Sequence, residues 1–331
     1  MNVTFSIIIP VYNRPNEIKE LLESLLQQTY LDSYEIIIVE DGSSNKSEKV
    51  IGEFKSKLDI FYLFKENSGP GQSRNEGMKI AKGNYFIILD SDVILPNNYL
   101  LEIDKALKSN YTDAFAAPDK AHHSFTNIQK AINYAMTSFL TTGGLRNNKG
   151  SQHFQLRSFN MGLSKKTFEI TTGFSRQNFG EDIDLSSRID KLGLSKQFIS
   201  KAFVYHKRRV NFKRFYKQTN NFGKARPILN KQHKNSAKST YWFPSLFVVG
   251  FIFSFIGSVF SFPYFSYLWF FYFVLIFIDS FIKNKNIAVA FLSLVATFVQ
   301  FFGYGIGFIK SQFRLTILQK SNKETFPKMF S

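Results

Sequence analysis

The sequence contains no cysteine, and its last 131 residues contain almost no acidic residues. The absence of cysteine excludes a disulfide framework, a thiolate zinc site and a cysteine nucleophile. Across all 331 residues, 42 Lys and Arg stand against 25 Asp and Glu. With 44% apolar residues the chain is too hydrophobic to be disordered, and its length allows one large or two small domains.

The net charge of +17 is confined to the C-terminal part of the chain. Residues 1–200 carry 23 basic and 23 acidic residues, whereas residues 201–240 carry 12 basic residues and no acid. A balanced first part indicates a soluble globular domain. A basic segment ahead of apolar stretches is typical of attachment to a membrane with anionic lipids. The basic segment matches no nucleic-acid-binding module, so no nucleic-acid partner is expected.

Three apolar stretches follow the basic segment, at about 242–262, 264–282 and 287–309, the first two separated by Pro263. Each has about 20 residues, which is the helical length that crosses a bilayer core. The basic residues that precede the first stretch and follow the second are expected to face the cytoplasm. A third full crossing would then place the basic tail outside, against that rule. One stretch could therefore be re-entrant or interfacial, and the sequence leaves this open.

Short apolar runs alternate with segments of helical periodicity in the first part of the chain. The runs predict buried strands at Phe5–Tyr12, Tyr34–Val39, Ile60–Phe64 and Tyr85–Leu89, and the periodic segments predict helices at 16–28, 46–57 and 71–81. This alternation predicts an α/β fold with a mostly parallel sheet flanked by helices. Ligands bind such sheets at the carboxyl ends of the strands, where the polar clusters of this sequence lie.

Two carboxylates, Asp90 and Asp92, follow the strand that ends at Leu89. On a sharp turn they can converge on a hard divalent cation, although a solvated turn would show the same pattern. A glycine-rich loop at 67–77 enters a helix and could approach a phosphate, but it lacks the Walker and Rossmann spacings. Each signal is weak alone, and their order on successive strand ends is what points to a site.

The ordered set of motifs resembles glycosyltransferase family 2, whose members have the GT-A fold. The motifs are Ser6-Ile-Ile-Ile-Pro-Val-Tyr-Asn13, Val39-Glu-Asp-Gly-Ser43, Gly71-Gln-Ser-Arg-Asn-Glu-Gly77, Asp90-Ser-Asp92 and Gly180-Glu-Asp-Ile-Asp-Leu-Ser-Ser-Arg188. The resemblance covers about residues 4–225. It implies inverting transfer of a sugar from a nucleotide-sugar donor, with Mg²⁺ or Mn²⁺ as cofactor.

The same resemblance implies roles for individual residues. The expected nucleotide-sugar-binding set is Pro10, Tyr12, Asn13, Asp41, Arg74, Asp90 and Ser91. The expected metal ligands are Asp92 and Asp90, with His206 as a third ligand. Asp182 is the expected general base and Glu181 the alternative. Both acids also lead a predicted helix, which they could simply cap.

The sequence thus predicts a GT-A domain at 1–225, an overlapping basic juxtamembrane segment at 201–240, a membrane region of two or three hydrophobic helices at 241–310 and a basic tail at 311–331. The expected activity adds one sugar to a hydroxyl of a glycan or lipid-linked acceptor at the cytoplasmic face of the cell membrane. A uridine-diphosphate sugar is the commonest donor of the family.

Three other functions compete with this one. A polyprenyl-phosphate sugar synthase would share the same features. A processive polysaccharide synthase usually carries a Gln-x-x-Arg-Trp motif, and neither Trp242 nor Trp269 follows an arginine. A non-catalytic sugar-binding membrane protein would be favoured by loss of the metal pair or the base, yet Asp90, Asp92 and Asp182 are all present.

Overall fold

The computed structural model describes residues 3–143, 154–260 and 264–330. The described residues form two compact units. The first, here called the sheet unit, draws on Met1–His122 and Asn148–Lys207, and the second, the helical unit, draws on His123–Asn147 and Arg208–Ser331. The domain bounds drawn from the sequence remain predictions beside this division.

The strands all belong to the sheet unit. They are β1 (Phe5–Val11), β2 (Tyr34–Asp41), β3 (Ile60–Lys65), β4 (Tyr85–Leu89), β5 (Val93–Ile94), β6 (Ala114–Ala116), β7 (Asp119–Lys120), β8 (Asn160–Ser164), β9 (Lys196–Phe198) and β10 (Val204–His206).

The helices occur in both units. Those of the sheet unit are α1 (Pro15–Leu26), α2 (Glu48–Gly52), α3 (Pro70–Ile80), α4 (Tyr99–Ser109), α7 (Lys165–Thr171) and α8 (Glu181–Lys191). Those of the helical unit are α5 (Asn127–Thr137), α6 (Phe139–Thr142), α9 (Phe212–Gln232), α10 (Phe243–Val259), α11 (Tyr264–Asn284), α12 (Ile287–Thr316) and α13 (Asn322–Thr325). Short 3₁₀ turns lie at Lys234–Ser236, Ser239–Trp242 and Pro327–Met329.

The main sheet has the strand order β3-β2-β1-β4-β8-β6-β9. Strands β1 to β4 run parallel to one another, whereas β8 is antiparallel to both β4 and β6. The predicted α/β fold with a mostly parallel sheet is therefore confirmed. A second, small sheet has the order β5-β10-β7 and is joined to the main sheet by the turn after β4.

The central strands are buried on both faces because helices cover both sides of the sheet. In β1, Ile7 and Ile9 pack with Leu21 of α1, whereas Ile8 packs on the other face with Met78 of α3. A strand that is buried on both faces has a continuous apolar sequence, and this pattern identified β1 and β2 in the sequence. The parallel register brings the carboxyl ends of β1, β2 and β4 to one edge.

In the helical unit, α12 packs along α9 and α5 and against α10 and α11. Glycines permit the close approach to α9, because a Cβ at Gly303 would lie 2.1 Å from the Thr219 hydroxyl oxygen. Toward α10, the Phe247 and Phe301 ring centroids are 4.5 Å apart, and toward α11 the hydroxyls of Ser280 and Ser293 are 2.7 Å apart.

Three helices of this unit are long and apolar enough to cross a membrane, and they cover Ser239–Val259, Ser266–Asn284 and Ile287–Thr316. Their mean hydropathies are 1.9, 1.5 and 1.9. The third continues seven residues beyond the predicted end at Ile309, which carries it into the basic tail. The predicted break at Pro263 lies outside the described residues.

Gly162 of β8 offers a test of this packing. A Cβ there would lie 2.1 Å from the Phe115 ring, which is itself stacked on Tyr85. We expect Gly162→Ala to destabilise the fold by about 1–3 kcal/mol, since overpacking forces the core to shift. Thermal unfolding of the detergent-solubilised chain measures this. Gly52→Ala is the matched control because its Cβ would meet open space, and equal unfolding temperatures for the two variants would contradict the packing.

Candidate active site

The turn after β4 and the end of β10 bring three metal-ligating side chains together. Strand β5, which follows Asp92, pairs antiparallel with β10, so that His206 stands opposite Val93. As a result Asp92 Oδ1 lies 3.3 Å from His206 Nε2, and the Lys207 amide donates to the Asp92 carbonyl at 2.9 Å. One ligand atom from each of Asp90, Asp92 and His206 lies within 4.8 Å of the others.

This donor set suits a divalent cation. Two carboxylates and an imidazole nitrogen are ligands that Mn²⁺ accepts, and the carboxylates alone suit Mg²⁺. Asp92 is buried, and a divalent cation there would share its negative charge with Arg14, which forms an ion pair with it. The three residues named from the sequence as metal ligands are thus neighbours in the structure, and their binding of a metal remains a prediction.

His206 is held from two sides by residues that sequence reasoning missed. Asp119 of β7 has its Oδ2 4.0 Å from His206 Nδ1, and the Phe159 ring centroid lies 4.9 Å from that of the imidazole. A carboxylate on the Nδ1 side favours the proton there, so that Nε2, which faces Asp92, would present its lone pair to a metal ion. Nothing local in the sequence marks Asp119, because only the pairing of β7 with β10 brings it to the histidine.

Two arginines neutralise the carboxylates of the Asp90–Asp92 turn. Arg14, just before α1, forms an ion pair with Asp92. Arg74 of α3 donates to Asp90 at 2.6 Å and to Glu181 at 3.0 Å. The Arg74 side chain is only 3% exposed, so these ion pairs are shielded from water. Arg74 therefore joins the Asp90–Asp92 turn to the acidic start of α8. Its predicted place near the nucleotide remains a prediction.

Glu181 and Asp182 open α8 in different environments. Glu181 is buried, and burial together with the neighbouring Asp182 raises its pKa to about 7, against the opposing effect of Arg74. Asp182 is more open, with 16% of its side chain exposed. Its Oδ1 accepts from the Ile183 amide at 2.8 Å, and its Oδ2 lies 4.0 Å from Arg157 Nη1. The Oδ2 of Asp182 therefore faces Arg157, a residue that the sequence motifs did not indicate.

The predicted nucleotide-binding residues at the end of β1 differ in exposure. Pro10 is buried within the strand, opposite Val39, whereas Tyr12 is 53% exposed. Asn13 has a φ of 54° and its Oδ1 accepts from the Asn45 amide at 2.8 Å. Asn13 therefore holds the turn after β1 against the loop after β2. Its binding of a nucleotide remains a prediction.

Asp41 and Ser91 are both buried at the same edge of the sheet. The Asp41 carboxylate forms an ion pair with Lys65 and accepts from the amides of Ser68 and Gly69 at 2.9 and 3.0 Å. Both of its oxygens therefore hold the glycine-rich loop that leads into α3. Asp41 is expected from the sequence to contact the nucleotide. Such a contact would form in addition to these hydrogen bonds.

Residues 6–170 match the sequence model of glycosyl transferase family 2. The chain belongs to this family through these residues. The family resemblance expected from the five motifs is thereby confirmed, and the match ends before the Gly180–Arg188 motif.

Curated relatives match about a third of the chain or slightly more. A poly(ribitol-phosphate) beta-glucosyltransferase of Bacillus spizizenii is 38% identical over 112 residues, which are 33% of this chain and 18% of that protein. An uncharacterised glycosyltransferase of Rickettsia prowazekii is 47% identical over 136 residues, 39% of this chain and 42% of that protein. The chain spans less than half the length of these relatives.

Solved structures support the fold. The mannosyltransferase PcManGT of Pyrobaculum calidifontis, solved with GDP-Man and Mn²⁺, superposes with a TM-score of 0.60 at 14% identity. The alignment covers 91% of this chain and 88% of that one. At this identity the likeness concerns the fold alone, and it agrees with the GT-A architecture predicted from the sequence.

The Asp90–Asp92–His206 cluster predicts a measurable metal affinity. We expect Asp92→Asn to weaken Mn²⁺ binding at least tenfold in isothermal calorimetry of the purified chain, because a charged ligand is lost. His206→Ala should weaken it as well. The exposed Asp59→Asn is the matched control and should bind Mn²⁺ like the unaltered chain. Equal affinity in all three variants would show that the metal, if bound, sits elsewhere.

Proposed function

We propose that the chain is a membrane-associated inverting glycosyltransferase. It transfers a single sugar from a nucleotide-diphosphate sugar to a hydroxyl of a glycan or a lipid-linked acceptor, assisted by Mg²⁺ or Mn²⁺. The observation that carries the proposal is the buried Arg74, which joins Asp90 of the metal-ligating turn to Glu181 of the acidic helix start. The B. spizizenii and P. calidifontis proteins support it, since their names or ligands describe sugar transfer and a nucleotide sugar with Mn²⁺.

The donor diphosphate would lie at the Asp90–Asp92 turn. A divalent cation held by Asp90, Asp92 and His206 would supply Lewis-acid stabilisation of the departing nucleoside diphosphate. Arg14 and Arg74 already stand beside these carboxylates, so they add fixed positive charge at the same place. The nucleoside would extend toward the ends of β1 and β2, along the residues predicted to bind it.

We assign the role of general base toward the acceptor to Asp182. Its carboxylate takes the proton of the acceptor hydroxyl while that oxygen bonds to the anomeric carbon and the bond to the diphosphate breaks. We assign the proton to Asp182 Oδ2, which lies 4.0 Å from Arg157 Nη1, because Oδ1 accepts from the Ile183 amide. Glu181 has a pKa of about 7, which suits a base, but its Oε1 accepts from Arg74. This favours Asp182 as base and Glu181 as the residue that orients Arg74.

The packing of α12 bears on the membrane topology. Its residues Gly303 and Gly307 lie against Thr219 and Asn220 of α9, a helix that carries Lys213, Arg214, Lys217, Lys224, Arg226 and Lys231. So many charges cannot enter the hydrocarbon core. Because α12 packs along α9, the part of α12 in contact with it lies outside the hydrocarbon core as well.

The opposite face of α12 is an apolar stripe, exposed along its length at Ile287, Phe291, Val295, Ile306, Ile309, Phe313 and Ile317. A helix that has an exposed apolar face and also packs along a highly charged helix fits the membrane interface. We therefore assign the crossing to the α10–α11 pair alone. Both ends of the helical unit then face the cytoplasm, and the basic tail no longer conflicts with the distribution of charge.

Two substitutions separate the candidate bases. Asp182→Asn keeps the size of the side chain but cannot take the proton, so turnover should fall by about 10²–10⁴-fold while donor binding survives. The readouts are sugar transfer and calorimetric donor affinity on the purified chain. Glu181→Gln should be less damaging, and the exposed Asp190→Asn of the same helix is the control. A dead Glu181→Gln beside an active Asp182→Asn would exchange the two roles.

The topology can be tested by single-cysteine labelling, since the chain has no cysteine of its own. We expect Lys231→Cys and Lys320→Cys to react with a membrane-impermeant maleimide only after the cells are permeabilised. Phe260→Cys, at the far end of α10, should react in intact cells. Labelling of Lys320→Cys from outside would mean that α12 crosses the membrane.

A further inference from the structure

Arg157 lies beside Asp182, the residue to which we assign the general base, and none of the sequence motifs includes it. Arg157 Nη1 is 4.0 Å from Asp182 Oδ2, and the two side chains are 26% and 16% exposed. This distance is longer than a hydrogen bond, so the contact is an electrostatic attraction between a guanidinium and a carboxylate. A contact of this length can orient a carboxylate without competing for the lone pair that accepts a proton.

The two acids that open α8 each face a different arginine. Arg74 Nη1 donates to Glu181 Oε1 at 3.0 Å, whereas Arg157 stands beside Asp182. Two neighbouring carboxylates repel each other, and a separate cation beside each one offsets that repulsion and holds them apart. Glu181 is thereby bound through a hydrogen bond, and Asp182 is directed by the longer contact with Arg157.

The backbone that carries Arg157 is fixed to α8. Leu156 is 0% exposed and packs with Leu185 in the core, and its amide donates to Ser186 Oγ at 3.1 Å. Ser186 lies four residues after Asp182, about one turn along the same helix. Two neighbouring residues therefore contact successive turns of α8, Leu156 at Ser186 and Arg157 at Asp182.

The other side of Arg157 is fixed to the main sheet. The Asn160 amide of β8 donates to the Arg157 carbonyl at 3.0 Å. The Asn160 side chain is buried and accepts from the Tyr99 hydroxyl at 2.7 Å. Arg157 Nη2 donates to Gln155 Oε1 at 3.3 Å, which also restrains the guanidinium. Arg157 is therefore held beside Asp182 before any substrate binds.

We propose that Arg157 is a positioning residue for the general base. It holds the Asp182 carboxylate in the orientation in which Oδ2 takes the acceptor proton, while the acceptor oxygen bonds to the anomeric carbon and the bond to the diphosphate breaks. Arg157 itself gains and loses no proton. The proposal rests on the proposed function, since Arg157 acts only through Asp182.

The test is a double-mutant cycle on nucleotide-sugar hydrolysis by the purified full chain with Mn²⁺, in which water takes the place of the acceptor. The probes are UDP-glucose, UDP-N-acetylglucosamine and GDP-mannose, and the cycle uses the one that turns over fastest. We expect Arg157→Gln to lower kcat on the order of 10–100-fold, because a catalytic group is misplaced, and to leave the donor KM within about twofold. In the Asp182→Asn background the same change should have no effect, since a residue that acts through the base matters only while the base is present.

Two further variants separate positioning from a general effect of charge or folding. Lys166→Gln removes one positive charge from an exposed position on α7 and should keep both kcat and KM. Arg157→Lys retains the charge and should recover most of the kcat that Arg157→Gln loses. Three results would overturn the proposal: losses that multiply in the double variant, a raised donor KM at unchanged kcat, and an equal loss in Lys166→Gln.

The outcome also distinguishes this role from the proposed function. If Arg157→Gln does not fold, Arg157→Lys takes its place in the cycle, and its smaller loss should likewise vanish in the Asp182→Asn background. A chain that hydrolyses none of the three donors would refute the proposed function, and the role of Arg157 with it. Multiplying losses in a chain that does hydrolyse a donor would refute the role of Arg157 alone.

Discussion

The buried guanidinium of Arg74 is the interaction on which the candidate active site depends. It contacts Asp90 after β4 and Glu181 at the start of α8, segments that lie far apart in the sequence. Removing one partner from such a buried set leaves an uncompensated charge, at a cost of about 3–5 kcal/mol. Burial and the neighbouring Asp182 raise the pKa of Glu181, and Arg74 opposes that shift. Arg74 thus positions the acidic helix relative to the strand ends.

The sheet makes this convergence possible. Parallel strands align their carboxyl ends, so the turns after β1, β2 and β4 meet at one edge without any long-range signal in the sequence. The small sheet adds what the parallel strands cannot supply, because β10 returns antiparallel to β5 and places His206 beside Asp92. Asp119 reaches the same histidine through the other edge of β10. The candidate metal-ligating set is therefore assembled by two sheets that share the turn after β4.

Much of the fold and of the site could be predicted from the sequence, since strands buried on both faces leave continuous apolar runs and motif residues stand at their ends. What could not be predicted depends on tertiary pairing. Asp119 and Arg157 lie in no motif, and only strand pairing or proximity to Asp182 reveals them. The helix expected at 46–57 extends only over Glu48–Gly52, because Gly52 has low helix propensity and the residues that follow form turns.

Hydropathy alone could not decide how the apolar C-terminal helices meet the membrane, because it averages over all faces of a helix. A crossing helix and an interfacial helix can have the same mean hydropathy, and α10 and α12, for which we propose these two roles, both have 1.9. They differ in what covers each face. Ser311 of α12 is hydrogen-bonded to the carbonyl of Lys224, so this part of α12 must lie at a depth where a lysine-bearing helix can also lie. The charge of the neighbouring helix, rather than the composition of α12 itself, sets that depth.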